Sequence, residues 1–232
     1  FKKSQTKPWL KRMLWCIQTI DAIFRACMYD VLDPYEEPYD HPKRPLVNLD
    51  EKPKQLLGEK RLSIPMKQGS PEKYDYEYVR NGTANIFMAV EFKAGKRVTQ
   101  VTERRTMKDF ARFVKMFIDE EYADAEVVRL VTDNLNTHKE KAFYETFSKK
   151  EAERILSKIE FHYTPKHASW LNAAEIEINV MDIECTGRRI GDMETLAREV
   201  AAWTKSRNNQ RKKINWKFTR DNADEKLSKY YA

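Results

Sequence analysis

The chain has 232 residues, of which 41% are hydrophobic and 34% charged, and its formal net charge is +7. This hydrophobic content is enough for a core and excludes a wholly disordered chain. No apolar run approaches the roughly 20 residues of a membrane-spanning helix. The cysteines are Cys16, Cys27 and Cys185, a number and spacing that predict neither a disulfide framework nor a zinc site. We therefore expect a soluble cytoplasmic protein that binds no membrane.

The first 44 residues have the character of a lead-in. Residues 1–12 carry five basic side chains and no acid. Residues 15–32 have apolar side chains every three or four positions, which predicts a helix. Residues 33–44 contain three prolines and several acids, which predicts a linker, so the helix could be a joint outside the main domain. Because the chain begins with Phe1 rather than Met, we expect a further segment upstream.

From residue 45 the pattern indicates an α/β domain that continues to residue 232. Strands are predicted at 46–49, 74–78, 84–92, 97–101, 126–133 and 159–164, from their β-branched and aromatic content or their alternation. Asn81-Gly82 is typical of a hairpin turn, and Gly95 predicts another. Helices are predicted at 106–122, 139–158, from about Ser169, at 192–208, and in a last short segment capped by Asp221.

Three acids stand out by their positions. Asp50 ends the apolar run of the first strand, Asp133 ends the strand 126–133, and Glu175 falls in the first two turns of the helix near Ser169. An acid at the end of a buried strand is costly unless it is paired or coordinated, and magnesium prefers such oxygen ligands. Three carboxylates suit two metal ions about 4 Å apart. For Asp133, capping of the following turn is the alternative.

For both Asp50 and Glu175, a nearby glutamate in the sequence is an alternative metal ligand. Glu51 follows Asp50 on a strand, so the two side chains face opposite ways and cannot both reach one metal. The apolar pattern alone does not choose between them, and whichever is not a ligand would be a surface or supporting acid. Glu175 and Glu177 leave a helix about 200° apart, so only one can face the metals. Glu175 lies at the edge of an apolar stripe and is favoured, which predicts that Glu177 is exposed to solvent.

Longer strings around these acids carry a family resemblance. They are Arg-Asn-Gly-Thr-Ala-Asn (80–85), Thr-Glu-Arg-Arg-Thr (102–106), Asp-Asn-Leu-Asn-Thr-His (133–138) and Trp-Leu-Asn-Ala-Ala-Glu (170–175). Together they resemble the DDE transposases of the insertion-sequence 630 family, bacterial relatives of the Tc/mariner elements. The resemblance implies an α/β ribonuclease H-like fold, with a central mixed sheet flanked by helices. The resemblance extends from about Trp9 to the end, and with the pattern along the chain it predicts a basic lead-in with a helix and a Pro-rich linker (1–44) and a DDE catalytic domain (45–232).

The same resemblance implies the chemistry. It assigns Asp50, Asp133 and Glu175 as catalytic residues that hold two Mg²⁺ or Mn²⁺ ions. The implied activity is metal-dependent cleavage of double-stranded DNA at transposon ends and strand transfer into target DNA at a TA dinucleotide. A homodimer in the active complex, a bacterial nucleoid location and an upstream helix-turn-helix region are also implied.

Two alternatives remain open at this point. Another enzyme of the fold, such as a ribonuclease H-type nuclease or an integrase, is disfavoured by the strings at 133–138 and 170–175. A catalytically silent, domesticated transposase that only binds or regulates DNA is the other alternative.

Polar and basic residues near the acids are candidates for supporting roles. Orientation of the acids or contact with phosphate is predicted for Asn136, His138 and His167, with capping and loop hydrogen bonds as the alternative. Basic side chains that could contact DNA phosphates, or simply be solvated, are Arg104, Arg105, Lys166, Lys212 and Lys213.

Overall fold

The computed structural model describes residues 20–39 and 42–232, apart from the side chain of Asn136. The predicted basic lead-in, the first part of the helix predicted at 15–32, and Cys16 lie outside these residues. Cys27 and Cys185 are free thiols. No helix in the described ranges is both long and apolar enough to cross a membrane.

A five-stranded mixed sheet forms the centre of the molecule, with the strand order β3-β2-β1-β4-β5. The strands are β1 (Leu46–Glu59), β2 (Tyr78–Glu91), β3 (Lys96–Thr102), β4 (Val128–Thr132) and β5 (Ile159–Tyr163). The first three are antiparallel neighbours, whereas β4 runs parallel to β1 and β5 parallel to β4. Three strands in hairpin order followed by alternating helix and strand is the predicted ribonuclease H-like order.

Helices cover both faces of the sheet. They are α1 (Ala22–Glu36), α2 (Met107–Glu121), α3 (Lys141–Thr146), α4 (Lys149–Leu156), α5 (Ala173–Met181), α6 (Met193–Asn209) and α7 (Arg220–Leu227). The side chains of α1, α5, α6 and α7 form one core with the sheet, and those of α2, α3 and α4 form the other. Alternate residues of the strands feed the two cores, because successive strand side chains point to opposite faces.

The helix α2 forms where the sequence predicts it, because its local signals agree. Thr106 and Asp109 make a reciprocal capping box at its start, which satisfies backbone N–H groups that a helix leaves free. Its buried stripe includes Phe110, Phe113 and Phe117, all fully shielded from solvent. At the other end of the chain the last helix is capped by Thr219 rather than by the predicted Asp221.

Asn81 and Gly82 do not form the predicted hairpin turn. Both lie inside β2, where the pairing register with β1 shifts between Gln55 and Leu57. Two residues of β2 therefore oppose one of β1, which is a β-bulge. Gly82 has φ of +103°, a conformation that glycine adopts without strain. The preference of Asn-Gly for positive φ is compatible with a turn or a bulge. Here the long pairing of β2 with β1 favours the bulge.

The strand predicted at 74–78 is also wrong, because β2 begins only at Tyr78. Tyr74 and Tyr76 are 70% and 82% exposed, so the aromatic side chains have no covered face. The acids between them are the more buried residues. Arg61 lies 3.0 Å from Asp75 and 3.5 Å from Glu77, and these ion pairs give the segment its conformation in place of sheet pairing.

The helix α1 belongs to the packed core and is not a joint outside it. It continues to Glu36 with Pro34 inside, so the first four residues of the predicted linker are helical. Met28, Val31 and Leu32 are completely buried against the sheet. Burial of several apolar side chains, each worth about 1.5–3 kcal/mol, outweighs the cost of one proline. The division into two domains at residue 44 stays a prediction.

Candidate active site

Asp50 lies on β1, beside the point where β4 ends, and it is half-buried. Its Oδ1 accepts a hydrogen bond from the backbone N–H of Glu51 at 2.8 Å. The side-chain amide of Asn172 donates to the carbonyl oxygen of Leu49 at 2.9 Å and lies 3.4 Å from Oδ2 of Asp50. Within the described ranges, these neutral groups bond the carboxylate and no cation pairs with it.

Three other acids lie near enough to this carboxylate to act on its pKa. Burial raises the pKa of Asp50, the N–H of Glu51 opposes that effect, and the negative charges of Glu51, Asp133 and Glu175 raise the pKa further, to about 7. A charge affects a pKa in this way only when it is near. The structure thus brings the three predicted acids into one neighbourhood, although they are far apart in sequence.

Asp133 follows directly after β4 and is held by His138. The Nδ1 atom of the histidine bonds the carboxylate of Asp133, and its Nε2 lies 3.3 Å from Oε2 of Glu51. Its ring also packs on Phe110, with 4.5 Å between the ring centroids. Burial alone would lower the pKa of His138, but the bonds to Asp133 and Glu51 outweigh it and raise the pKa to about 9. His138 is therefore protonated at neutral pH and joins the two acids.

Glu51 is a buried supporting acid, since only 4% of its side chain is exposed. It faces the core beneath α2, whereas Asp50 faces the helix α5, as the alternation of a strand requires. The alternative that placed Glu51 on the surface is wrong, because the protonated ring of His138 provides a buried partner for its charge.

The two acids of α5 have opposite environments. Glu175 is exposed in the first turn, and within the described ranges its carboxylate has no hydrogen bond or ion pair. Glu177 was predicted to be exposed, and this is wrong: its side chain is 0% exposed and pairs with Arg97 at 2.9 Å and Arg207 at 2.8 Å. The far side of α5 faces β3 and α6, which supply these two cations.

Asn172 was not among the residues singled out from the sequence. The chain makes a short 3-10 turn at Ser169–Leu171, and the α-helix begins only at Ala173. Asn172 caps it, because its Oδ1 accepts the N–H of Ala174 at 3.1 Å. The same side chain binds β1 next to Asp50, so one residue joins the start of α5 to the first acid. An asparagine ahead of a helix is a recognisable capping signal, but its bond to β1 is not visible in the sequence.

The other predicted residues lie at different distances from this centre. Lys166 and His167 are exposed in the loop from β5 to α5, and His167 has the unusual φ of 65°. Arg105 lines a cavity of about 320 Å³ together with Glu51, Leu135 and Thr137. Of these basic groups, Arg105 is the one that the structure places beside a residue of the acid cluster.

The remaining candidates are less closely connected. Arg104 is exposed in the loop before α2, and Lys212 and Lys213 are exposed in the segment that follows α6. None of these three has a described contact with the acids. Asn136 begins the short turn at Asn136–His138, and its side chain lies outside the described part of the structure.

The donor set fits divalent metal ions, although the acids stand apart. Within residues 20–39 and 42–232, no three Asp, Glu, His or Cys side chains are grouped closely enough to hold a metal ion. The donors are nevertheless hard oxygens, which Mg²⁺ and Mn²⁺ prefer. Burial raises the pKa of Asp50, the nearby charges of Glu51, Asp133 and Glu175 raise it further, and a bound cation would oppose both effects. Because Glu175 is exposed and its side chain makes no bond within the described residues, its carboxylate is available to such an ion.

Comparisons with known proteins agree with this geometry. The sequence pattern of the DDE superfamily endonucleases matches residues 45–197, a segment that includes Asp50, Asp133 and Glu175. No curated protein sequence matches the chain.

Several solved structures share the fold. The Mos1 mariner paired end complex with Mn has a TM-score of 0.55 at 12% identity, over 87% of this chain and 61% of that one. The Mos1 strand transfer complex has 0.55 at 10%, over 89% and 60%, and a pre-cleavage Mos1 transpososome has 0.52 at 10%, over 94% and 66%. The chain thus spans less than two thirds of the Mos1 chains. The likeness confirms the ribonuclease H-like α/β fold, with its mixed sheet flanked by helices.

The matched segment covers well over half of the 232 residues and contains the strands and the helix that carry the acids. This chain belongs to the DDE superfamily endonucleases.

Proposed function

We propose that this chain is the catalytic part of a transposase of the insertion-sequence 630 family, which cleaves double-stranded DNA at transposon ends and joins the ends to target DNA. The observation that carries the proposal is the position of Asp50: it is half-buried, and Asp133 and Glu175 are near enough for their charges to add to the effect of burial on its pKa. The structures of the same fold are Mos1 complexes described as a paired end complex and a strand transfer complex, which supports DNA as the substrate.

In the proposed site Asp50, Asp133 and Glu175 would hold two Mg²⁺ or Mn²⁺ ions. When bound, these ions lower the pKa of an attacking water or DNA 3′-hydroxyl and neutralise charge on the leaving oxygen. A Mos1 complex with the same fold contains Mn. With a pKa of about 7, Asp50 is only partly ionised at neutral pH without a cation. Cation binding would therefore complete its ionisation.

The chain itself supplies orientation. Asn172 holds the backbone at Asp50, and protonated His138 holds the carboxylate of Asp133 from the side of Glu51. Such outer contacts fix the direction of a ligand and prevent its rotation.

Basic side chains would contact the DNA. Arg105, which lines a cavity with Glu51, is a candidate beside the acids, and Arg104, Lys166, Lys212 and Lys213 would bind phosphates elsewhere on the duplex. Phosphate contacts of this kind give affinity and register without sequence information.

Four finer features of the protein are also proposed. They are insertion at a TA dinucleotide, a homodimer in the active complex, a location at the bacterial nucleoid, and a catalytic domain that spans residues 45–232. Each rests on the resemblance of the strings around the acids to the insertion-sequence 630 family.

A nicking assay tests the function. The protein would be mixed with plasmid DNA that carries the element's terminal repeats, with Mg²⁺ or with EDTA. We expect nicking at the repeats that requires metal and is lost in Asp50→Asn and Glu175→Gln. The control is Glu199→Gln, which removes a half-buried carboxylate on α6 that pairs with Arg188. Nicking in EDTA, or by both variants, would contradict the metal mechanism. DNA binding by the parent protein without any nicking would favour the silent, domesticated alternative.

A further inference from the structure

Glu175 depends on the helix that carries it for its direction. Its carboxylate is exposed and has no bond of its own among the described residues, so the rotation of α5 about its axis decides where it points. A glutamate carboxylate lies roughly 6 Å from the axis of its helix, given a Cα radius of about 2.3 Å. A rotation of about 20° would therefore move it by roughly 2 Å, well beyond the 0.5 Å that a working site tolerates.

Glu177 is the strongest polar anchor on this helix. Its Oε2 accepts a hydrogen bond from Nη2 of Arg97 on β3 at 2.9 Å. Its Oε1 accepts a hydrogen bond from Nε of Arg207 on α6 at 2.8 Å, and Nη2 of the same guanidinium lies 2.8 Å from this oxygen as an ion pair. Arg97 is fixed in turn, since its backbone N–H and carbonyl oxygen both bond the side chain of Asn208 at 2.8 Å. The side chains of Glu177 and Arg97 are both 0% exposed.

Stability alone is a poor explanation of this cluster. A fully buried ion pair is costly to desolvate, and well-packed apolar residues often replace one without loss of stability. Arg97 also leaves its Nε and Nη1 atoms buried without a protein partner in the described part of the chain, which adds to the cost. The cluster supplies direction, which apolar side chains cannot, because a hydrogen bond from Arg97 and one from Arg207 fix the two oxygens of one carboxylate.

We propose that Glu177 is a positioning residue: its buried bonds to Arg97 and Arg207 fix the rotation of α5 and so direct Glu175 toward Asp50 and Asp133. The two glutamates are about 200° apart around the helix, so anchoring one on the inner side turns the other outward to the acids. This inference rests on the proposed function, in which Glu175 is a metal ligand.

Two variants distinguish an effect of Glu177 on the direction of Glu175 from an effect on the stability of the protein. Glu177→Asp keeps the charge but is one methylene shorter, so the anchor must shift. The triple variant Arg97→Met, Glu177→Met and Arg207→Met removes the ions and keeps an apolar core. The matched control is Glu184→Asp, which makes the same chemical change in a half-exposed residue that contacts Arg207 at 3.9 Å from beyond the end of α5.

The measurements are Mn²⁺ affinity by calorimetry, the Mn²⁺ concentration for half-maximal nicking, and thermal unfolding. We expect Glu177→Asp and the triple variant to weaken Mn²⁺ binding at least about tenfold, the range found when residues that orient metal ligands are changed. The control should bind Mn²⁺ like the parent. A purely structural role would lower the unfolding temperature and leave Mn²⁺ affinity unchanged.

The outcomes also distinguish this inference from the proposed function. If Glu175→Gln weakens Mn²⁺ binding but Glu177→Asp and the folded triple variant do not, the positioning role is wrong and the metal site stands. If the triple variant does not fold, Glu177→Asp decides alone. If the parent binds no Mn²⁺, or if Glu175→Gln binds it like the parent, the metal site and the positioning role both fall.

Discussion

Replacing Asp50 by asparagine should stabilise the metal-free protein at neutral pH, although it removes a residue of the active site. The folded protein raises the pKa of Asp50 from 3.8 to about 7, so ionising this carboxylate costs more in the folded than in the unfolded chain. Asparagine has a similar shape and retains an oxygen that accepts the N–H of Glu51. It has no charge to place beside the other acids.

The magnitude follows from linkage between protonation and folding. The folded state binds more protons between about pH 4 and pH 7, so the parent loses stability as the pH rises through that window. At about 1.36 kcal/mol per pH unit, the free energy gained by Asp50→Asn is about 1 kcal/mol at pH 4.5 and about 4 kcal/mol at pH 8. For a chain of this size, about 4 kcal/mol corresponds to a rise of about 8–16 °C in unfolding temperature.

The assay is thermal unfolding of the parent and the variant in EDTA, across pH 4.5 to 8. The control is Asp182→Asn. Asp182 lies 2.8 Å from Lys52, which holds its pKa below the ordinary value, so the same substitution should not raise the unfolding temperature. If Asp50→Asn fails to unfold at a higher temperature at pH 8, or if its advantage does not grow with pH, burial and the nearby acids do not raise the pKa of Asp50, and the electrostatic argument for a metal site fails.

Three further predictions concern the other residues. Asp133→Asn should abolish nicking and also lower the unfolding temperature at pH 7, because protonated His138 loses a charged hydrogen bond of about 1.5–3 kcal/mol. An unchanged unfolding temperature would contradict the pairing of His138 with Asp133. Glu175→Gln should abolish nicking with no change in unfolding temperature, since the side chain of Glu175 is exposed and unbonded in the described structure. A clear drop in unfolding temperature would show that Glu175 has a structural role instead. The double change Lys212→Ala and Lys213→Ala should weaken DNA binding equally on matched and scrambled repeats, and flatten the plot of log affinity against log salt by up to about 2. Fluorescence anisotropy at several salt concentrations measures this, and a loss confined to matched repeats would mean that the two lysines read sequence.

Local signals explain which elements could be predicted from the sequence. The helix α2 has its cap at Thr106 and a regular stripe of phenylalanines, so every local preference agrees with its position in the fold. Asn81-Gly82 shows the opposite case. The dipeptide favours positive φ wherever it occurs, and only its pairing with β1 decides that it forms a bulge in a long strand.

The candidate site shows the same limit. Helix periodicity correctly separates Glu175 from Glu177, since it depends on the 3.6-residue repeat alone. It does not reveal what faces each side. Glu177 is paired with cations that lie 80 and 30 residues away in the chain, and solvation was the simpler expectation for an acid whose partners are so distant. His138 was recognised as a residue near the acids, but its link to Glu51 needed the packing of α2 over β1.

The position of α1 has a consequence for how the protein can be divided. The sequence family begins at residue 45, yet the hydroxyl of Tyr35 donates to the carbonyl oxygen of Leu171 at 2.9 Å and is bonded by the amide of Asn48. The helix therefore supports both β1 and the turn ahead of α5, the two segments that present Asp50 and Glu175. The segment that matches the family, residues 45–197, therefore leaves out a helix that packs against it. An expression fragment cut at the family boundary would expose the apolar groove that α1 fills and leave the turn before α5 without its support.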